Sequence, residues 1–227
     1  MKNGLTYLAV LVLLAGSTAA RGQAALETVV VTGDPVHLIE TGASDAALGL
    51  DKPLVETPRA VTIVSDATLS RYGIEGVDDL TAVTPNSYTG SFYGVEGAVN
   101  LRGTLAESYF RGFKRAENRG TYSTPLGDAA AIDIVRGPPS PVYGAGKVGG
   151  LINFVPKTGG PDPSGNEGEV TATYGSYSKR NLTGAYRLPL ALDGAVGGLH
   201  LYGELDDSFS FYRGLPPTHQ LLEASAD

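Results

Sequence analysis

The sequence contains no cysteine in its 227 residues. This absence excludes disulfides, thiolate metal sites, covalent haem attachment and cysteine nucleophiles. Basic residues are in the minority, with 17 Lys and Arg against 24 Asp and Glu and a formal net charge of −7, so nucleic acid is not an expected partner. No apolar run reaches the roughly 20 residues that a membrane-spanning helix needs. Glycine is abundant, with 31 residues, and this favours a turn-rich and strand-rich architecture.

The first 24 residues have the three-part layout of a secretory signal peptide. Lys2 supplies a positive start, residues 5–15 are a short apolar run, and small residues follow, as such signals require. Small residues allow cleavage after Ala20 or after Ala24. The alternative interpretation of residues 1–24 is a membrane anchor that is not cleaved. We therefore expect export from the cytoplasm, and the lack of cysteine favours a protein of the bacterial envelope.

Residues 25–52 combine a β-branched run with a linker. Residues 28–32 are five consecutive β-branched residues, which prefer an extended backbone, and Gly33 and Pro35 end the run. This run predicts either the first strand of a domain or a strand that pairs with the edge of a partner's sheet. Small and polar residues then continue to Lys52 and are interpreted as a linker.

The next hundred or so residues have the pattern of a compact mixed α/β domain. Residues 60–65 predict a strand, followed by a short helix with Asp66 as its N-cap and Gly73 at its end. Residues 77–83 predict a second short helix. Further β-rich runs alternate with glycine-rich connections, at residues 99–102, 132–136 and 151–155.

A cluster of glycine and proline at residues 158–165 marks a boundary. Beyond it, apolar and polar residues alternate in three runs, at 170–174, 182–188 and 199–205. In a soluble sandwich the apolar face would pack on a second sheet, whereas in a membrane barrel it would face lipid and the polar face would line the lumen. Alternation alone does not decide between the two, although export favours the barrel.

No motif assembles an enzyme site. Residues 144–149 fit the pattern G-x-G-x-x-G, but a strand-like run follows where nucleotide binding requires a helix. His37, His200 and His219 are far apart and lack metal-ligand spacing, and no nucleophile elbow occurs. We therefore predict no catalytic residues, no bound metal and no cofactor.

Residues 132–144 read Ile-Asp-Ile-Val-Arg-Gly-Pro-Pro-Ser-Pro-Val-Tyr-Gly and, with 149–157, closely resemble the end of the plug of TonB-dependent outer-membrane receptors. Other stretches resemble that family in the expected order: 27–33 its TonB box, 56–64 the first plug strand, 100–103 its arginine-glycine motif, and the strands after Gly168 the start of its barrel. The resemblance implies a receptor in the outer membrane of a Gram-negative bacterium. Such a receptor imports a scarce ligand, most often a ferric siderophore, with energy delivered by TonB from the inner membrane.

The resemblance also implies roles for individual residues. The TonB-binding residues would be Glu27, Thr28, Val29, Val30, Val31 and Thr32. Arg102 and Arg136 would latch the plug to glutamates of the barrel, although Arg111-Gly112 also resembles the first of these motifs. The ligand-binding residues would be Tyr88, Phe92, Tyr93, Arg119 and Tyr122, because aromatic and arginine side chains suit an anionic, aromatic iron chelate.

The expected organisation has four parts: a signal peptide at 1–24, the TonB box and linker at 25–52, a plug domain at 53–160, and the start of an incomplete transmembrane β-barrel at 161–227. A barrel strand takes about 9–11 residues, so the last part supplies only about four strands. We therefore expect an N-terminal fragment of a receptor embedded in outer-membrane lipid. The alternatives are a stand-alone periplasmic plug-like binding module or an inactive truncated receptor.

Overall fold

A computed structural model describes residues 53–92, 95–119, 122, 124–160, 166–192, 195–207 and 218–226. The chain divides into two compact units, Met1–Pro35 and Val36–Asp227, and every described residue belongs to the second. The predicted signal peptide, TonB box and linker, and also Tyr93, lie outside the described residues.

Among the described residues, no helix is both long enough and apolar enough to cross a membrane.

Residues 53–160 form a domain of short strands and helices, which we call the mixed domain. Its one α-helix in the described residues is α1 (Asp66–Tyr72), and three short 3-10 helices lie at Leu54–Glu56, Val77–Ala82 and Pro141–Tyr143. Its strands are β1 (Ala60–Ser65), β2 (Ser87–Phe92), β3 (Val95–Leu101), β4 (Thr104–Leu105), β5 (Glu107–Phe110), β6 (Phe113–Lys114), β7 (Ala129–Arg136) and β8 (Gly150–Pro156).

Helix α1 begins one residue away from the predicted cap. Its N-cap is Ser65, whose hydroxyl accepts a hydrogen bond from the backbone N–H of Thr68 at 3.4 Å. The prediction that Asp66 is the cap was therefore wrong, and Asp66 instead places its carboxylate in the first turn, where the helix dipole favours it. Gly73 ends the helix in the left-handed conformation, with φ 61°, as expected.

The central sheet of the mixed domain has the order β1-β7-β8-β5-β6. Strand β7 pairs with β1 and β8 in antiparallel fashion, and β5 pairs with β8 in parallel. Because side chains alternate along a strand, one face contributes Ile132, Ile134 and Ile152 to the main apolar core, which also contains Leu101. A separate three-stranded sheet has the order β2-β3-β4.

Residues after 165 form a four-stranded antiparallel sheet in the order β12-β11-β10-β9. Its strands are β9 (Glu167–Tyr174), β10 (Arg180–Leu192), β11 (Ala195–Asp207) and β12 (Thr218–Ala226). Three of them contain the alternating runs found in the sequence, whereas β12 was not predicted. No described strand joins β9 to β12, so the sheet is open at both edges within the described residues.

The polar face of this four-stranded sheet is the buried one. On β11, His200, Tyr202 and Glu204 are only 4–7% exposed, whereas Leu201 and Leu205 are 41% and 53% exposed. No described element covers the apolar face. In a soluble sandwich the apolar face of a sheet is buried, whereas here it is exposed and the polar face is buried. This is the arrangement of a membrane barrel wall, whose outer surface is apolar.

Candidate functional site

Two arginine-glycine turns project from the mixed domain. Arg102-Gly103 joins β3 to β4, and Arg111-Gly112 joins β5 to β6. The φ angles are 50° and 82° in the first turn and 49° and 79° in the second, so both central residues of each turn are left-handed, as in a type I′ hairpin. Both stretches that resemble the arginine-glycine motif thus adopt one backbone conformation, and this conformation does not distinguish them.

Arg102 and Arg136, the predicted latch, lie near each other at one end of the mixed domain. Arg136 donates hydrogen bonds from Nη2 to Thr62 Oγ1 at 3.2 Å and from Nη1 to the carbonyl of Pro85 at 3.4 Å. Arg102 Nη1 lies 3.0 Å from the position that a Cβ atom on Gly137 would occupy. Arg136 Nε is buried without a hydrogen-bond partner, and no described carboxylate forms an ion pair with either guanidinium. This end of the domain therefore carries two positive charges that an acidic group could neutralise.

The predicted ligand-binding residues fall in two places. Tyr88 is 54% exposed on β2 and lines an open cleft together with Arg102. Arg119 and Tyr122 instead lie in the loop that follows β6. Asn118 of this loop packs against Gly97, because a Cβ atom added to Gly97 would lie only 2.2 Å from Asn118 Nδ2. Asn118 and Tyr122 therefore lie near Gly97, and Tyr88 lies at the other end of the β2–β3 hairpin.

Only the backbone of Phe92 is described, at the end of β2.

Arg115 organises the loop that carries Arg119 and Tyr122, and sequence reasoning missed it. Its guanidinium carbon lies 4.9 Å from the ring centre of Tyr122 and 5.9 Å from that of Phe110, within the range of a cation–π contact. Its Nη1 also donates to Thr124 Oγ1 at 3.3 Å. These partners come from both sides of Arg115 at irregular spacing, so no sequence pattern marks the residue.

Glu117, in the same loop, interacts with two basic side chains. Glu117 accepts from Arg119 Nε at 3.0 Å and forms an ion pair with Lys147. The hydrogen bonds from Lys147 and Arg119 lower the pKa of Glu117, so this exposed carboxylate stays ionised. Tyr122 in turn donates its hydroxyl to the carbonyl of Ala116 at 2.7 Å. The side chain of Arg119 is 71% exposed, so solvent reaches its guanidinium.

A buried polar group holds the β5–β6 hairpin and its Arg111-Gly112 turn. Glu107 accepts from Lys114 Nζ at 2.6 Å and from the Tyr109 hydroxyl at 3.3 Å. Burial, and then the charge of Glu107, raise the pKa of Tyr109, while the hydrogen bond to Glu107 raises the pKa of Lys114. The Gly112 N–H donates to Asn153 Oδ1 at 2.9 Å, which ties the turn to the central sheet.

The mixed domain meets the polar face of the four-stranded sheet through hydrogen bonds. Asp128, just before β7, contacts His200 of β11, with 2.7 Å between Oδ1 and Nε2. Neighbouring polar groups of the sheet bond to each other: Tyr202 donates to Glu204 at 2.9 Å, and Asn181 donates to the same carboxylate at 2.7 Å. The buried polar face is thus paired, as burial requires.

Comparison with known proteins identifies the mixed domain. Residues 53–151 match the family model described as the TonB-dependent Receptor Plug Domain. This segment is similar to that plug domain. We therefore call the mixed domain the plug. The family resemblance found in the sequence is confirmed, and so is the fold class of a mixed α/β plug followed by antiparallel strands of an incomplete barrel.

Solved structures of receptors share this fold. The pyoverdine outer-membrane receptor of Pseudomonas aeruginosa, bound to pyoverdine, matches with a TM-score of 0.72 and 19% identity over 86% of this chain and 28% of its own. The ferric-catecholate import receptor of E. coli, in its open form, matches with a TM-score of 0.66 and 18% identity over 82% of this chain and 27% of its own. The alcaligin outer-membrane receptor of Bordetella pertussis matches with a TM-score of 0.66 and 19% identity over 83% of this chain and 32% of its own.

The chain spans about a quarter to a third of the length of these solved receptors. At such low identity the likeness shows the fold alone. Comparison with curated protein sequences gives no match.

Proposed function

We propose that the chain is part of an outer-membrane receptor that imports a ferric siderophore in a Gram-negative bacterium, with energy supplied by TonB. The observation that carries the proposal is the sidedness of the four-stranded sheet: its polar face is buried against a plug domain and its apolar face is open. In lipid, a closed barrel satisfies every backbone hydrogen bond but encloses a wide lumen. A domain that fills the lumen makes such a barrel a gated importer rather than a pore.

The ligand class is supported by the chemistry of the plug surface. The residues after β6 include Arg119 and Tyr122, and the guanidinium of Arg115 lies over the tyrosine ring. Guanidinium groups and aromatic rings suit an anionic iron chelate that contains aromatic rings. The solved receptors of the same fold include some named for pyoverdine, ferric catecholate and alcaligin. In this proposal Tyr88, Phe92 and Tyr93 extend the ligand contact.

The proposed energy input acts on residues before the plug. Glu27 and the β-branched residues 28–32 would pair as a strand with TonB, since such pairing depends on an extended backbone more than on side chains. Arg102 and Arg136 would hold the plug by pairing with carboxylates of the barrel. This assignment is supported by the proximity of the two arginines and by the buried, unpartnered Nε of Arg136.

The test is deletion of residues 27–32 from the full-length receptor in its host. Binding and uptake are measured with radioactive iron complexed to pyoverdine, to a catecholate and to alcaligin. We expect binding of one complex to stay unchanged while its uptake falls to the background of a strain without TonB.

The matched control is deletion of residues 36–41, which shortens the linker by the same length and should preserve uptake. Uptake that survives deletion of residues 27–32 would contradict the proposal. An intact receptor that binds none of the three complexes would contradict the siderophore assignment.

A further inference from the structure

A row of polar residues crosses the inner face of the four-stranded sheet. Arg187 of β10 lies directly opposite His200 of β11, and His200 lies directly opposite Ser225 of β12. Residues that are directly opposite in an antiparallel pair point to the same face. The three side chains therefore form one continuous row, which we call the docking strip.

Every member of the docking strip contacts the plug. The contacts are Arg187 Nε to the carbonyl of Gly159 at 2.6 Å, His200 Nε2 to Asp128 Oδ1 at 2.7 Å, and Ser225 Oγ to the carbonyl of Lys157 at 3.3 Å. The plug side of the strip is also continuous, because the Lys157 N–H donates to the carbonyl of Asp128 at 2.8 Å. The strip thus meets one edge of the plug, where β7 begins and β8 ends.

Two glycines, Gly198 of β11 and Gly159 of the plug, are in backbone contact beside the docking strip. Gly198 lies two residues before His200 and shares its face, and a Cβ atom on Gly198 would lie 2.5 Å from the carbonyl carbon of Gly159. A Cβ atom on Gly159 would lie 2.1 Å from the carbonyl carbon of Gly198. Since real Cβ atoms need more room than this, the two glycines set how closely the plug approaches the sheet.

The contacts between plug and sheet differ in burial. The side chains of His200 and Asp128 are only 6% and 5% exposed. Lys179 and Glu75 form a more exposed ion pair between the same two parts, and exposed pairs contribute little. Asp128 also forms a side-chain hydrogen bond with Glu223 of β12. Removing the Asp128 carboxylate therefore takes a partner from two polar groups of the sheet, which is far more costly than losing an exposed pair.

We propose that the docking strip is a plug anchor with the Asp128–His200 contact as its main component. It is separate from the arginine latch, because Asp128 precedes Ala129 at the start of β7 whereas Arg136 is the last residue of that strand. The strip also lies where the chain leaves the plug for the sheet, so the covalent and the non-covalent connection coincide. Only the importance of this anchor for import rests on the proposed function.

Hydrogen–deuterium exchange on the purified full-length receptor in detergent tests the anchor without ligand or TonB. The variants are Asp128→Leu, which keeps the size but removes both oxygens, His200→Phe and their combination. Asp207→Leu is the control because it makes the same chemical change at an exposed position of β11. We expect amides of β7 and β8 to exchange about a hundredfold faster in Asp128→Leu, as the loss of a buried pair implies. The effect of His200→Phe should be smaller, because Asp128 keeps its contact with Glu223. The double variant should exchange no faster than Asp128→Leu, and the control should match the parent.

Two outcomes would overturn the anchor: exchange in Asp128→Leu equal to that in the control, or an effect of the double variant equal to the product of the single effects. If a single variant fails to assemble, the exchanged pair Asp128→His with His200→Asp decides. Recovery of assembly in the exchanged pair supports the anchor, and a defect equal to that of the single variants refutes it. A receptor that imported no siderophore would still give the expected exchange, so failure of the proposed function is separately visible.

Discussion

The plug and the four-stranded sheet bury opposite kinds of side chain, although both consist of strands with alternating residues. In the plug, Ile132 and Ile134 are at most 1% exposed. In the sheet, His200 and Glu204 are buried while Leu201 is 41% exposed. Alternation fixes only that neighbours point to opposite sides. The difference teaches that the surroundings of each face, and not the pattern, decide which side chains are buried.

The plug pairs its buried carboxylates in two different ways. Glu107 of the plug accepts from Lys114 and Tyr109, both from the same small hairpin. Asp128 instead finds its partner His200 in the other region, 72 residues away. Glu107 is thus paired within the plug, whereas the contact of Asp128 with His200 depends on the sheet being in place.

The largest expected effect tests the apolar core of the plug. Ile132→Ala removes a side chain that is 0% exposed, and we expect the free energy of unfolding to fall by about 2–5 kcal/mol. Guanidinium unfolding of the purified chain in detergent measures this value. Val148→Ala is the control because Val148 is 69% exposed, and its effect should be near zero. Equal losses in the two variants would contradict the assigned core.

The next effect tests the apolar face of the sheet. Leu201 lies at the middle of β11. If this face meets the bilayer core, Leu201→Arg should make folding into lipid less favourable by about 2–4 kcal/mol. Refolding of the full-length receptor into phosphatidylcholine vesicles measures the loss, with Leu201→Met as the size-matched control. In a protein whose sheet met water, the arginine would be tolerated at this exposed position. If Leu201→Arg folds into lipid as well as the parent, the apolar face of the sheet does not meet the bilayer core.

The smallest effect concerns alkaline pH and the plug alone. Because its folded pKa is raised, Tyr109 stays neutral at a pH where it would ionise in the unfolded chain, whose tyrosine pKa is about 10. Its contribution to stability is thus complete below about pH 10 and is lost as pH rises further towards the folded pKa. Tyr109→Phe should make this alkaline decline shallower in unfolding experiments. A slope that stays unchanged in Tyr109→Phe would refute the role of Tyr109.

Much of the fold was visible in the sequence, with gaps that have physical causes. Strand β1 and the core of strands β7 and β8 are long apolar or β-branched runs, and they were found within a few residues of their observed ends. Strands β4 and β6 have two residues each, too few to show a period. Strand β12 contains the adjacent pair Leu221 and Leu222, which breaks the alternation.

The candidate site was less predictable than the fold. Local motifs pointed to Arg102 and Arg136, and the structure places the two near each other. The roles proposed for them, for the TonB-binding residues and for the ligand-binding residues remain predictions. Arg115 and the partners of the docking strip were missed, because their contacts join separate segments and leave no local signal.

The sequence by itself determined the alternation of polar and apolar residues in the strands after Gly168, and it carried the resemblance of residues 132–157 to a plug domain. Only the tertiary structure decided that the polar face is the buried one and that Asp128 lies against His200. The physical reason is that strand geometry is local, since it follows from the period of the side chains along the backbone. Burial is not local, since it depends on which distant element, or which solvent, each face meets.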